Sequence, residues 1–344
     1  HQGQHRLSSN DPIAAPPTAR LPASLAAAID QAMSRIRSLV AGGAPDRETL
    51  AAVGQALTGA AADRDAFDLE RFPMNPATRD AIYLLSEDPD QRLALYLAVR
   101  DVALKTPVHD HDTWACIVGV HGRERNWLYE RAGDGALQAA GQADVVHGTG
   151  VGLLASDLHR IATDAGALNM QLHLYGRSFD AQTARIMVDE ATGAVRPFAG
   201  HPDIRVPAGR LTAAMLRRMT RDGGELAVID VRDVATHAGQ GHPVVATCLP
   251  IDRLESALAR CCPNPAARIA LIDEGSAGDR RADDAAERLT AAGYSRVHTL
   301  AGGVRAWRQA GYPLFTGINV PSKAFGEFIE HRHGTPRIDA ASLK

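Results

Sequence analysis

No apolar run in this 344-residue chain approaches the roughly 18 or more residues that span a bilayer, and the N-terminus lacks the basic stretch and apolar segment of a secretion signal. Both absences lead to the expectation of a cytoplasmic protein with no membrane partner. Basic charge is not in excess either: 37 Lys and Arg stand against 40 Asp and Glu, giving a formal net charge of -3, so nucleic acid is not an expected partner. Cysteine is scarce. The four thiols, Cys116, Cys248, Cys261 and Cys262, make no disulfide framework. Adjacent Cys261 and Cys262 lack the C-x-x-C spacing of zinc or redox sites and read as buried or incidental thiols. What is present is ordinary for a globular protein, 45% apolar and 22% charged residues, in a chain long enough for two or three cores.

Along the chain the texture changes three times. Residues 1–21 are polar, proline-bearing and without period, which predicts a disordered leader. From Pro22 to Ala61 the apolar residues fall at helical spacing, and Asp46 is placed to cap a helix whose Leu50, Val53 and Leu57 share a face. After Pro76 short apolar or alternating runs follow one another: AIYLLS, RLALYLAVR, ACIVGVHG, NWLYER, VGLLASDLHRI and NMQLHLYG. Gly, Asp and Pro clusters separate them, as in a β-domain of many short strands, and ATG within ARIMVDEATGAVRPF marks a final hairpin. Beyond about residue 205 helical and strand patterns alternate, which predicts a parallel sheet flanked by helices. The expected fold is therefore multidomain: N-terminal helices and an all-β domain over 22–204, then an α/β domain over 205–317. VPAGRLTAAML near the start of the second domain is echoed by IDAASLK at the C-terminus, so 318–344 reads as a linker and the start of a possible further α/β unit.

Histidine is the residue that asks for chemistry. In TPVHDHDTWACIVGVHG, His109 and His111 alternate around Asp110; on a strand they would share a face with side-chain origins about 7 Å apart, close enough to converge on one ion. Two satisfied histidines at a strand end would look the same. A third ligand must come from elsewhere, and His159 in LLASDLHRI and His173 in NMQLHLYG are the candidates. Gln171, His173 and Tyr175 lie on one face of their strand, an odd set for a core. His121 and His147 read as loop or surface residues.

P-V-H-D-H followed by Trp, then L-H-R about fifty residues on, then L-H-L-Y-G, together resemble the cysteine dioxygenase family of cupin thiol dioxygenases. The resemblance implies a cupin domain, a double-stranded β-helix or jelly-roll barrel, with Fe(II) held by His109, His111 and His159. It also implies a thiol dioxygenase reaction in which a small thiol and O2 are the partners and the product is a sulfinate. The family's Ser-His-Tyr relay falls on Gln171, His173 and Tyr175, with Gln replacing Ser. The family's substrate-carboxylate anchor falls on Ile82, which can bind no carboxylate, leaving Arg79, Arg92 and Arg177 as nearby substitutes. Some members join a Cys to the active-site Tyr; counting forward from His111 puts Cys116 at that place, and counting back from Gly122 puts Ala115 there, a difference of one residue of register.

LAVIDVRD, RIALID and the ending V-x-x-L-x-G-G-x-x-x-W-x-x-x-G-Y-P resemble a rhodanese domain over about 205–316. Active members place a nucleophilic Cys directly after the strand matched by IALI, at the head of a loop whose N–H groups cradle a persulfide. Here that residue is Asp273, so the expectation is an inactive appendage, with anion or thiol binding at the loop 274–280 as a lesser use. Two other functions compete with the dioxygenase: a non-catalytic metal- or thiol-binding cupin sensor, and a sulfurtransferase acting through the second domain.

Overall fold

Asp46 does what its position predicts: its carboxylate accepts the Thr49 N–H at 2.8 Å and starts helix α2 (Arg47–Ala60), which follows α1 (Ala23–Leu39). The computed structural model describes residues 19–133, 136–198, 204–317, 320–334, 338–339 and 341–342. Most of the expected leader, residues 1–18, lies outside these, as do residues 340, 343 and 344 of the IDAASLK echo. Residues 19–21 depart from the leader expectation: the Leu21 N–H donates to the Ala208 carbonyl at 3.0 Å, its side chain is buried, and Arg20 pairs with Asp283 at 3.0 Å.

Thirteen strands follow among the described residues of the first unit: β1 (Asp80–Glu87), β2 (Ala94–Arg100), β3 (Leu104–Lys105), β4 (Val108–His109), β5 (Ala115–His121), β6 (Glu124–Arg131), β7 (Leu137–Val145), β8 (Gly150–Leu153), β9 (Leu158–Thr163), β10 (Asn169–Tyr175), β11 (Ile186–Val188), β12 (Val195–Pro197) and β13 (Ile204–Arg205). They form two sheets. One runs β13-β1-β2-β10-β5-β8, the other β12-β11-β4-β9-β6-β7, with β3 also paired to β9. Strand β7 was not expected, since LQAAGQADV carries no apolar alternation; it is held by β6 alone along an exposed face.

Alternation along the first sheet sorts its two faces. Leu95, Leu97 and Val99 of β2, Leu172 and Leu174 of β10, and Cys116 and Val118 of β5 pack with Leu25, Met33, Ile36, Val53 and Leu57 of the two helices. Tyr96, His173, Tyr175, Ala115 and Ile117 therefore face the other way, and the Tyr175 ring meets His111 at 5.0 Å between centroids. The helices close one side of the sheet, and the polar residues of the alternate positions line the other.

The second unit contains β14 (Gly209–Leu211), α3 (Ala213–Met219), β15 (Leu226–Asp230), α4 (Val234–Gln240), β16 (Ala246–Cys248), α5 (Leu254–Cys261), β17 (Arg268–Ile272), α6 (Arg281–Ala291), β18 (Arg296–Leu300) and α7 (Gly303–Gln309). The sheet is parallel throughout in the order β14-β18-β17-β15-β16, and its central strand Arg268–Ile272 is an almost wholly buried apolar run, as two covered faces demand. Thr212 ties the two units, capping α3 through the Met215 N–H and donating its hydroxyl to the Glu87 carbonyl at 3.0 Å. Helix α8 (Val320–His333) follows. Among the described residues no helix is long and apolar enough to cross a membrane.

Candidate metal centre

Strand β4 is only two residues long, so the expected strand placement of both histidines holds for His109 alone. His109 pairs with Met187 on one side and with His159 on the other, which puts two imidazoles on adjacent strands at the same level. His111 reaches the same point from the turn beyond, where Asp112 adopts a positive φ of 55°. Two aspartates fix that turn. Asp110 accepts the Ile186 N–H at 2.8 Å, and Asp112 accepts the Ala184 N–H at 3.1 Å, so the acidic residues interleaved with the histidines act as staples to the segment before β11.

The candidate ligand atoms of His109, His111 and His159 all lie within 4.8 Å of one another, the one such group among the described residues. All three side chains are buried. His109 donates Nδ1–H to the Pro107 carbonyl and His159 donates Nδ1–H to Asn126 Oδ1, each at 2.9 Å, which leaves both Nε2 lone pairs directed inward. His159 Nε2 and His111 Nε2 are 3.2 Å apart, close to the roughly 3.3 Å expected of two nitrogens on one tetrahedral ion with bonds of about 2.05 Å. His111 Nδ1 is buried without a hydrogen-bond partner. Burial pushes the His109 imidazole down to about 4 and holds His111 and His159 well below the usual histidine range, with neighbouring imidazoles adding to the effect on the latter two. The three rings are thus neutral, the form that binds metal. A three-imidazole donor set of this kind suits a divalent transition ion, Fe(II) among them.

A cavity of about 180 Å³ opens onto the three histidines, with Ile82, Tyr175, Phe179, Arg185 and Phe198 in its wall. Ile82 lines this cavity. The proposed substitutes do not: Arg79 pairs with Asp101, Arg92 with Asp90 at 2.7 Å and Arg177 with Asp112 at 3.4 Å, all on exposed side chains outside this cavity. Two cations line it, Arg100, which faces Glu124, and Arg185. The Arg185 guanidinium lies 4.5 Å from the Phe198 ring centroid, and its Nε is buried without a partner.

His173 Nδ1 lies 3.2 Å from the Tyr175 hydroxyl, as the implied relay requires. Gln171 does not extend it. Its amide donates to the His121 carbonyl at 3.2 Å and to Asn169 at 3.3 Å, and among the described residues it makes no hydrogen bond to His173. Register excludes a Cys116–Tyr175 thioether: Tyr175 pairs with Ala115, and Cys116 pairs with Leu174 on the helix-covered face. Cys116 Sγ sits against Gly54 of α2, and burial pushes its thiol up to about 12.

Three polar residues escaped the sequence reading: Glu124, Asn126 and Arg185. Glu124 and Asn126 share one face of β6 and are fully buried, so E-R-N ahead of WLY was a readable signal, an alternation with its polar positions turned inward. Arg185 stands in a connecting segment and had none.

In the second unit β17 ends where expected, and Asp273 heads the following loop. Its carboxylate accepts the Gly275 N–H at 2.9 Å and the Ala282 N–H at 3.3 Å, so an internal anion already occupies loop donors that a bound anion would use. Gly275 has φ of 74° and no room for a side chain: a Cβ there would lie 1.8 Å from the Gly302 carbonyl oxygen. No thiol heads this loop. Cys248 ends β16, in register with Asp230, which in turn pairs with Ile272; burial and Asp230 raise its thiol, the opposite of an activated nucleophile.

Residues 212–310 match the rhodanese-like domain family. Among solved structures, a thiosulfate sulfurtransferase from Pseudomonas aeruginosa is 40% identical over 40% of this chain and 25% of its own, with a TM-score of 0.37. The Alr3790 protein from Anabaena sp. is 28% identical over 35% of this chain and 92% of its own, with a TM-score of 0.28. A rhodanese with anions from E. coli is 26% identical over 27% of this chain and 99% of its own, with a TM-score of 0.23. This chain thus spans a quarter of the length of the Pseudomonas aeruginosa protein. The rhodanese-like match corrects one expectation outright: the oxygen-incorporating oxidoreductase implied by the dioxygenase resemblance is set aside.

Proposed function

We propose that this chain is a sulfur-handling protein of the transferase class, in which the three-histidine pocket holds a small anionic thiol at a divalent metal, Fe(II) being the expected ion. The convergence of His109, His111 and His159 on one point, with two of their Nδ1 atoms already committed, is the observation that carries this reading. It is also consistent with a cupin-type barrel for the two-sheet unit. A metal bound there supplies a Lewis-acidic position that keeps a soft thiol deprotonated near neutral pH.

The chain's own residues do the rest. Arg185 offers its guanidinium to the anionic end of the thiol, and the Phe179 and Phe198 rings lie against it. Tyr175, bonded to His173, presents a hydroxyl beside His111. Sulfur transfer then requires no protein cysteine: the thiolate in the pocket attacks the outer sulfur of thiosulfate, forming an S–S bond and releasing sulfite. This accounts for Asp273 standing where a persulfide-bearing Cys would be needed.

The test is anaerobic sulfite release from thiosulfate with a thiol panel, on metal-loaded protein. Release with 3-mercaptopropionate is expected to persist when Cys116, Cys248, Cys261 and Cys262 are all replaced by serine. Arg185→Leu should weaken anionic thiols by roughly 10- to 100-fold, the range of one charge-assisted contact, while leaving cysteamine unchanged. Absence of sulfite with every thiol, or, in a parallel aerobic assay, O2 uptake stoichiometric with thiol, overturns the reading.

A further inference from the structure

Beside the pocket, and used by nothing described above, three buried polar atoms face one another. Glu124 Oε2 lies 3.7 Å from Arg100 Nη1 and 3.7 Å from His173 Nε2, and none of the three has a hydrogen-bond partner among the described residues. Glu124 has no exposed surface, and its other oxygen accepts the Asn126 amide at 3.2 Å, the same Asn126 whose Oδ1 holds His159. One carboxylate thus stands between the support of a ligand histidine and the far nitrogen of His173.

We infer that Glu124 is the positioning residue that sets the tautomer of His173, the place at which Gln171 was expected to act. The reasoning is one of matched donors and acceptors. A neutral imidazole carries a proton on one nitrogen only. The group facing Nε2 decides which, because a buried nitrogen that meets a partner of the wrong kind loses a hydrogen bond and its desolvation cost is left uncompensated. Glu124 is the acceptor at that edge; Arg100 and the Asn126 amide are donors. With the carboxylate present, His173 keeps its proton on Nε2 and turns a bare Nδ1 to Tyr175, so the phenol donates to His173 and offers its oxygen lone pairs to the pocket. Without the carboxylate, Arg100 is the polar neighbour, Nε2 becomes an acceptor, and the proton moves to Nδ1. The Tyr175 oxygen then accepts from His173 and its O–H is free to donate into the pocket. Glu124 therefore decides whether Tyr175 meets a pocket ligand as acceptor or as donor.

This inference rests on the proposed pocket for its consequence, not for its test. In metal-free protein with 15N-labelled histidine, NMR reports which ring nitrogen of His173 is protonated, whether or not the metal reading holds. The expected result is Nε2–H in the unmodified chain. Glu124→Leu should shift the tautomer ratio towards Nδ1–H by roughly tenfold or more, the factor a hydrogen bond to a charged group is worth. Glu124→Gln, which keeps the volume and whose amide N–H2 faces Nε2 once its carbonyl is drawn to Arg100, should shift it in the same direction and carries the test should the leucine variant not fold. Nδ1–H in the unmodified chain, or an unchanged ratio in Glu124→Gln, overturns the inference.

Discussion

Replacing His159 by alanine is expected to abolish stoichiometric metal binding while the fold survives. Of the three histidines it is the best anchored: it lies on β9, pairs across the backbone with His109, and is oriented by Asn126. Its loss leaves two ligands on one tight turn, where they chelate from a single side. A residue that only orients a ligand typically costs about 10- to 100-fold in affinity when removed, so Asn126→Ala should weaken the metal by that factor and His159→Ala by more. His121 supplies the control. Its Nε2 is engaged with the Phe67 carbonyl at 3.0 Å, away from the cluster, and His121→Ala should leave metal content unchanged. Metal analysis after dialysis, with circular dichroism to verify folding, decides the matter: one equivalent retained by His159→Ala would remove it from the ligand set.

The three histidines were legible because each lies in a motif with a short, readable period. H-x-H needs only local geometry, and the third ligand and the His173–Tyr175 pair sit in apolar runs where a polar residue is conspicuous. The parallel sheet of the second unit was legible for the same reason, since buried strands and helices differ in period. What could not be read depends on contacts distant in sequence. Whether Cys116 or Ala115 faces Tyr175 is settled by the pairing of β5 with β10, which slips by one residue between Met170 and Gln171. Arg185 lies at the pocket beside Phe198, thirteen positions on, whose N–H donates to the Arg185 carbonyl at 2.8 Å. Gln171 was assigned a role by analogy with a shorter side chain; being longer, it reaches past His173's neighbourhood to the His121 carbonyl, and Glu124 from another strand takes the vacated edge.

The second large effect is on stability. Metal-free protein is expected to lose a large part of its stability, on the order of 5 kcal/mol, between pH 7 and pH 5. Burial pushes His109 down to about 4 and His173 and His298 down to about 3, so each is neutral in the fold and takes up a proton on unfolding. For a histidine whose folded value lies below its unfolded value near 6.5, the stabilising contribution is complete above that unfolded value and is lost as pH falls towards the folded one. At pH 5 each of the three costs about 2 kcal/mol, on the order of 5 kcal/mol together, against a total of roughly 5–15 kcal/mol for a typical domain. A fall in melting temperature of roughly 10–20 °C between pH 7 and pH 5 is therefore expected. His298 lies in the parallel sheet, far from the metal centre, and its Nδ1 is buried without a partner, so His298→Leu should move the acid transition of the second unit to lower pH without touching metal content. A melting temperature that stays flat from pH 7 to pH 5 would mean that these imidazoles find water or a proton partner in solution, and the neutral, metal-ready state of the cluster would lose its physical basis.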